Sequence, residues 1–173
     1  MIHLQNHDDV YLIASTRFST ETYAANQMYR RKHNIPAIYG TNTPICERHP
    51  RYAVVFVLEM NNSTNRIEGI GRIRNQLYPR EMKNIYTNIV HSEYNGFFYK
   101  GTKWTSRDTI AKKDPDLLFI FENILFKKKT HVKRQGGITV VTEKLLSHWM
   151  EDHMRLQEGL QKLLKRILAI MGD

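Results

Sequence analysis

Nine residues, YAVVFVLEM at 52–60, leave this chain few architectures to choose from. They are dominated by β-branched, aliphatic and aromatic side chains with no helical period, which predicts a strand. NNSTN at 61–65 tolerates turn geometry, and RIEGIGRIRN at 66–75 then alternates apolar and polar positions, with Ile67, Gly69, Gly71 and Ile73 available to one face. The two segments predict an antiparallel hairpin, and the remaining elements must be built around it.

VYLIAST at 10–16 predicts a short buried strand. A helix follows over STETYAANQMYRRKH, begun by Ser19 or Thr20, whose hydroxyl can accept from an amide orphaned at the helix start, and ended by Pro36. Three prolines and a glycine within the 17 residues of IPAIYGTNTPICERHPR predict a loop with one extended piece around Ala37–Tyr39. The stretch 76–96 is mixed and rich in tyrosine and asparagine, and FFYKGTKWTS at 97–106 predicts a strand broken near Gly101 by a bulge or bend. Asp114 as cap and Pro115 at the first helical position predict a helix through DLLFIFENILF, although its continuous apolar core also suits a strand. In 127–146 the pattern predicts a strand over Thr130–Arg134, a Gln-Gly-Gly turn and a second strand over Ile138–Thr142.

The C-terminal region follows another rule. Leu146, Trp149, His153, Leu156, Leu160, Leu163, Ile167 and Ile170 recur in steps of three and four, and Met150, Met154, Leu164, Leu168 and Met171 widen the seam. An unbroken helix of ~25 residues would be ~37 Å long, more than a small domain can cover. The expectation is therefore a domain over 1–146 with an amphipathic helix over 147–173, whose distal half pairs with a second copy or another protein through Leu160, Leu163, Leu164, Ile167 and Met171.

At 173 residues, 41% hydrophobic and 10% aromatic, the chain suits one domain with an appendage and is no disordered tail. Its single cysteine, Cys46, excludes an intramolecular disulfide and a cysteine-rich zinc site and points to a reducing compartment. No apolar run approaches the ~20 residues that cross a bilayer, and MIHLQNHDDV lacks the greasy stretch of a signal peptide, so an intracellular location, nuclear or cytoplasmic, is expected without a membrane partner. Against 17 Asp and Glu stand 26 Lys and Arg, a formal +9 that favours polyanionic partners, nucleic acid first among them.

Catalytic motifs are scarce. The sequence contains no Walker loop, GxSxG elbow, HExxH or Cys/His cluster, and the glycines of EGIGR fall within a strand pattern. His148 and His153, five apart, do not share a helix face as a metal pair would, so neither metal nor cofactor is expected. Asp114, Asp116 and Glu122 are the acids on which a nucleic-acid-processing enzyme would have to rely.

The basic clusters differ in kind. Arg30, Arg31 and Lys32 complement the carbonyl end of a helix, and Lys162, Lys165 and Arg166 suit a solvated helix face. Lys127, Lys128, Lys129, Lys133 and Arg134 have no comparable local role and are expected to touch phosphate. Tyr39, Tyr78, Tyr86 and Tyr94 fall in loop-like stretches, and rings beside cations are what proteins stack on unpaired bases.

The ordered set VYLIAST, STETYAANQMYRRKH, AIYGT, VVFVLEMNNSTNRIEGIGRI, FFYKGTKWTSRD and HVKRQGGITVV resembles the YTH domain, one of the PUA-like group with EVE and ASCH relatives, over residues 10–146. The resemblance implies an α+β fold with a curved, mainly antiparallel sheet or partial barrel flanked by helices, and a long C-terminal helix beyond it. It also implies non-catalytic binding of RNA, favoured over DNA, with N6-methyladenosine held in an aromatic cage. Tyr39 stands where the first cage tryptophan belongs, Gly40 where backbone meets the base, and Tyr86 or Tyr94 at the second wall. Ser15 and Thr16 match the polar end of the first strand, Arg134 with Lys133 beside it matches the phosphate contact, and Trp104 matches a structural tryptophan. Thr20 departs from the asparagine that reads the base edge in many YTH domains.

Overall fold

The computed structural model describes residues 2–3, 9–79, 84–87, 93–127, 132–134, 136–147 and 156–172. Its strands are β1 (Ile2–His3), β2 (Val10–Phe18), β3 (Ala37–Thr41), β4 (Val54–Asn61), β5 (Arg66–Arg74), β6 (Phe97–Ser106) and β7 (Thr139–Val140). The helices are α1 (Thr20–His33), α2 (Arg107–Lys113), α3 (Pro115–Phe126), α4 (Glu143–Ser147) and α5 (Leu156–Met171). The fold is α+β, with a curled sheet in the order β1-β2-β4-β5-β6-β3 and β7 added against β2.

The hairpin forms as its sequence dictates, β4 against β5 and β5 against β6, all antiparallel. β2 runs parallel to β4 from Tyr11↔Val54 to Phe18↔Asn61, so the sheet is mixed. A parallel pair needs a crossover, and α1 with β3 supplies it. The chain leaves β2, crosses through α1, contributes β3 to the far edge beside β6, and returns as β4. Ser19 starts α1 with a capping box, its hydroxyl accepting from the Thr22 amide (3.1 Å) while the Thr22 hydroxyl accepts from the Ser19 amide (2.9 Å). The helix ends at Asn34 in a left-handed conformation (φ 51°), two residues before Pro36.

Two bulges bend the sheet. Between Leu58↔Ile70 and Met60↔Ile67 one extra β5 residue intervenes, which moves Ile67 off the face shared by Gly69, Gly71 and Ile73. On β6 the register slips at Thr102, between Arg72↔Lys103 and Ile73↔Gly101, where the sequence places its break.

Each sheet face carries its own core. Tyr11, Phe56, Leu58 and Ile70 pack under Leu117 and Phe121 of α3 and Leu164 and Ile167 of α5. Leu12, Ala14, Val55 and Val57 lie on the opposite face with Ile38, Tyr39, Tyr86 and Phe98. Asp114 caps α3 by accepting from the Leu117 amide (3.2 Å), and Pro115 opens it, so DLLFIFENILF is helical.

Three expectations are corrected. The first is the 130–134 and 138–142 hairpin. Lys133 and Arg134 lie in a turn, and β7 is two residues paired with Ala14 and Ser15 of β2. The Arg17 guanidinium donates to the carbonyls of Val132, Gly136 and Gly137, which withdraws them from any ladder. The second is the distal C-terminal seam. Leu160, Leu163, Leu164, Ile167 and Met171 are all buried within their own chain, in the core that also holds the sheet. The helix carrying them has 16 described residues, about 24 Å, a length the sheet face covers. Its C-terminal carbonyls accept from Lys113 Nζ on Ile170 (2.7 Å) and Lys103 Nζ on Gly172 (3.2 Å). The third is Arg30, expected to complement the carbonyl end of α1 but buried, with its guanidinium donating to Glu59. Trp149, Met150, His153 and Met154 lie outside the described residues. Cys46 is exposed and unpaired, and among the described residues no helix is long and apolar enough to cross a membrane.

Candidate nucleic-acid interface

A cavity of about 340 Å³ opens where β2 ends, beside the start of α1, the end of β3, Tyr86, Tyr94 and the loop 133–137. Its volume is at the lower end of the ~300–1,000 Å³ typical of ligand pockets. Thr16, Tyr39, Gly40, Tyr86, Tyr94, Lys133 and Arg134, seven residues singled out from the sequence, line it together.

Behind the lining residue Tyr39 lies a buried ion network. Glu59 of β4 is fully buried, a position that costs several kcal/mol unless the charge is neutralised and hydrogen-bonded. Arg30 Nη2 (2.5 Å) and the Tyr39 hydroxyl (2.8 Å) donate to Glu59 Oε1, and Trp104 Nε1 donates to Oε2 (2.9 Å). The Arg30 guanidinium lies 5.3 Å from the Tyr39 ring centre and 5.8 Å from that of Trp104. Burial by itself would lower Arg30, but the Glu59 charge and the surrounding phenols hold it above its ordinary value. Burial, then Glu59, push the Tyr39 phenol well up, so it remains a donor. Gly71 makes room for this arrangement, because a Cβ there would overlap the Tyr39 hydroxyl oxygen.

Tyr39 is therefore floor and not wall. It is 1% exposed, its hydroxyl is spent on Glu59, and its ring offers no open face. The aromatic wall is supplied by Tyr86 and Tyr94 together, edge to face at 6.0 Å and 75°. Tyr86 is buried, its hydroxyl meets Asn26 Nδ2 (3.4 Å), and burial pushes its phenol up to about 12. Tyr94 is half-buried and presents the more accessible ring. The Asn95 side chain ties the segment together, accepting from the Tyr86 amide (3.2 Å) and donating to the Tyr86 carbonyl (2.7 Å). Gly40 lets that segment sit directly on β3, since a Cβ there would overlap the Tyr94 carbonyl oxygen and crowd the Tyr86 and Phe98 rings at 3.2 Å.

Among the described residues the lining carries three cations, Arg17, Lys133 and Arg134, and no acid. Arg17, which sequence reading missed, anchors the loop that bears the other two. Besides its three carbonyls it donates to Thr139 Oγ1 (3.0 Å). Burial pulls it down to about 10, with Tyr94 acting in the opposite sense, so it is a cation at neutral pH. Lys133 Nζ donates to Asn65 Oδ1 (2.7 Å), the Lys133 carbonyl accepts from Asn62 Nδ2 (2.9 Å), and Arg134 is exposed. Ser19 and Thr22 bring the positive end of α1 to the same rim, where the helix field favours an anion.

Other site expectations do not converge here. Ser15 pairs with Leu58 in the parallel ladder and so faces the α3 and α5 side, away from the cavity, whereas Thr16 shares the face of Glu59. Lys127 is the exposed cap of α3, its Nζ 5.9 Å from the Phe119 ring centre, and does not line the cavity. Lys128 and Lys129 lie outside the described residues. Asp114 is paired with Arg166 (2.7 and 2.6 Å), Glu122 is engaged by Arg107 and the Ile67 amide, and Asp116 is exposed in the first turn of α3. Glu59 had one visible signal, a lone acid inside an apolar strand. No protein-family model matches this chain, and comparison with curated proteins and with solved structures finds no match.

Proposed function

We propose that this protein binds single-stranded RNA without catalysis, taking one unpaired base into the cavity while cations at its rim hold the flanking phosphates. The observation that carries the reading is convergence. Arg17 and Gly137 are 120 positions apart, and between them β3, Tyr86, Tyr94, Lys133 and Arg134 are drawn to one concave site with aromatic walls and, among the described residues, three cations and no acid. Tyr94, backed by Tyr86, gives the base a π surface, and the Gly40 backbone approaches closely because no side chain intervenes. Arg134 and Lys133 neutralise phosphate, with Arg17 fixing the loop that carries them. A base inside a duplex cannot reach such a recess, which favours single strands. The preference for RNA and for an N6-methyl group rests on the YTH resemblance, and the methyl would lie against the Tyr86 and Tyr94 rings.

Titration of short RNAs, single-stranded, duplex and N6-methylated, tests the proposal. Single strands should bind with a steep salt dependence. Arg134→Ala should weaken every sequence alike and flatten that dependence, because phosphate carries no base information. Tyr94→Ala should cost about 1–3 kcal/mol of binding while leaving the salt slope intact. Equal affinity for duplex and single strand would overturn base capture, and equal affinity for methylated and unmethylated strands would remove the methyl reading alone.

A further inference from the structure

We infer that the RNA surface continues beyond the base cavity onto a second platform, where the exposed Tyr52 ring stacks a neighbouring base of the same strand; this rests on the base-cavity reading above. A second cavity, of about 670 Å³, is lined by Pro44, Tyr52, Gln76, Leu77, Phe97 and Tyr99 among others. The two cavities share a strand pair. Thr41, which lines the first, is the direct register partner of Phe97, which lines the second, and opposed residues of an antiparallel pair sit only ~4.5–5.5 Å apart at Cα.

Tyr52 is the residue the fold does not explain. Its φ is 65°, in the left-handed region that a bulky side chain rarely adopts, and the residue is 60% exposed. The conformation is held from both sides. The Tyr52 amide donates to the Asn75 carbonyl (3.1 Å), and its own carbonyl accepts from Arg74 Nη1 (3.0 Å), which is in turn fixed by Asp9. A glycine would meet the same backbone demand without strain and without an aromatic ring in water, so stability is surrendered here for something other than folding. The surroundings suit a single strand. The recess is lined by Arg51, with Glu47 as its acid, and by Leu77, which is 48% exposed; next in sequence Tyr78 is 38% exposed, with Lys100 Nζ 5.1 Å from its ring centre. Rings interleaved with cations are how single-stranded nucleic acid is tracked without sequence readout.

Fluorescence anisotropy with a ten-nucleotide oligoadenylate and the full chain tests this, with thermal melts run in parallel on Tyr52→Ala, Tyr52→Gly and Tyr94→Ala. Both Tyr52 variants should bind about 5- to 150-fold more weakly, the range expected for one stacked base. Tyr52→Gly should melt at or above the wild-type temperature, because the left-handed strain is relieved. Unchanged affinity in the Tyr52 variants, with Tyr94→Ala impaired, overturns the platform, leaves the base cavity standing and assigns the patch to another partner such as a protein. Weaker binding accompanied by a lowered melting temperature also overturns it, since the ring would then be structural. Normal binding by Tyr94→Ala alongside impaired Tyr52 variants overturns the base cavity alone, and a wild-type chain that does not bind overturns both.

Discussion

Gly71→Ala tests the floor of the cavity with a single methyl group. A Cβ at this position would overlap the Tyr39 hydroxyl oxygen, lie 2.9 Å from its Cζ and approach Ala37 Cβ at 3.1 Å. The hydroxyl is the far end of its side chain, but the residue is 1% exposed and that hydroxyl is bonded to Glu59, so it has nowhere to swing. Crowding a packed interior costs about 1–3 kcal/mol, and losing a hydrogen bond to a charged group costs about 1.5–3 kcal/mol. Gly71→Ala should therefore destabilise by about 2.5–6 kcal/mol. Tyr39→Phe deletes the same hydrogen bond without the crowding and should cost about 1.5–3 kcal/mol. If the two sites were independent the double variant would lose about 4–9 kcal/mol. Because both remove one and the same bond, and the ring carbon still crowds the new methyl, the double variant should lose about 2.5–6 kcal/mol instead. The coupling of about 1.5–3 kcal/mol is readable from urea denaturation of the four proteins at constant m-value. Additivity within about 0.5 kcal/mol would refute the shared hydrogen bond.

Three further perturbations address the rest of the fold. Glu59→Gln leaves the Arg30 guanidinium buried without its counter-charge and should cost about 3–5 kcal/mol by chemical denaturation, and a loss below about 1 kcal/mol would mean that Arg30 finds water or another anion. Leu160→Asp with Ile167→Asp should abolish the cooperative melt because both side chains lie in the core beside the sheet, whereas a folded, cooperative double variant would show that the seam faces outward. The Arg166 hydrogen bonds hold Asp114 below the usual carboxylate range, so its contribution is present above the unfolded value of about 3.9 and disappears as pH falls through the lower folded one. Wild type and Asp114→Asn should accordingly converge in melting temperature under acid, and a gap independent of pH would sink that assignment.

Local signals in the sequence carried far. The Ser19 cap, the Asp114–Pro115 start and the slip near Gly101 each depend on residues within a few positions of one another, and each lies where its chemistry places it. Pairing was less legible. Nothing in VYLIAST states that its neighbour is β4 or that the two run parallel, because that choice is made by the crossover through α1. α2 was missed because the strand pattern of 97–106 runs straight into it, with only Ser106 as cap, its hydroxyl accepting from the Thr109 amide at 3.2 Å. The seam from Leu160 onward shows why amphipathicity alone does not name a partner. One face of the sheet is covered by α3 and α5 together, so the seam finds its partner within its own chain.

The same division runs through the site. Tyr86, Tyr94, Lys133 and Arg134 stood out by side-chain type and do line the cavity, whereas Tyr39, expected as a wall, is buried beneath it. A tyrosine beside Gly40 reads like a pocket wall, yet whether a ring is wall or floor depends on the partner of its hydroxyl, and that partner is Glu59, 20 positions further on. Glu59 in turn is tolerable only because Arg30 arrives from α1, 29 positions before it. The basic residue that shapes the cationic rim was the one outside the obvious cluster. Arg17 spends its donors on loop carbonyls 115 to 120 positions away, which turns two surface cations on a glycine-rich turn into fixed parts of the cavity. Long-range hydrogen bonds from such cations leave almost no local trace, so many of the side chains that line this cavity were visible in the sequence while the framework that orients them was not.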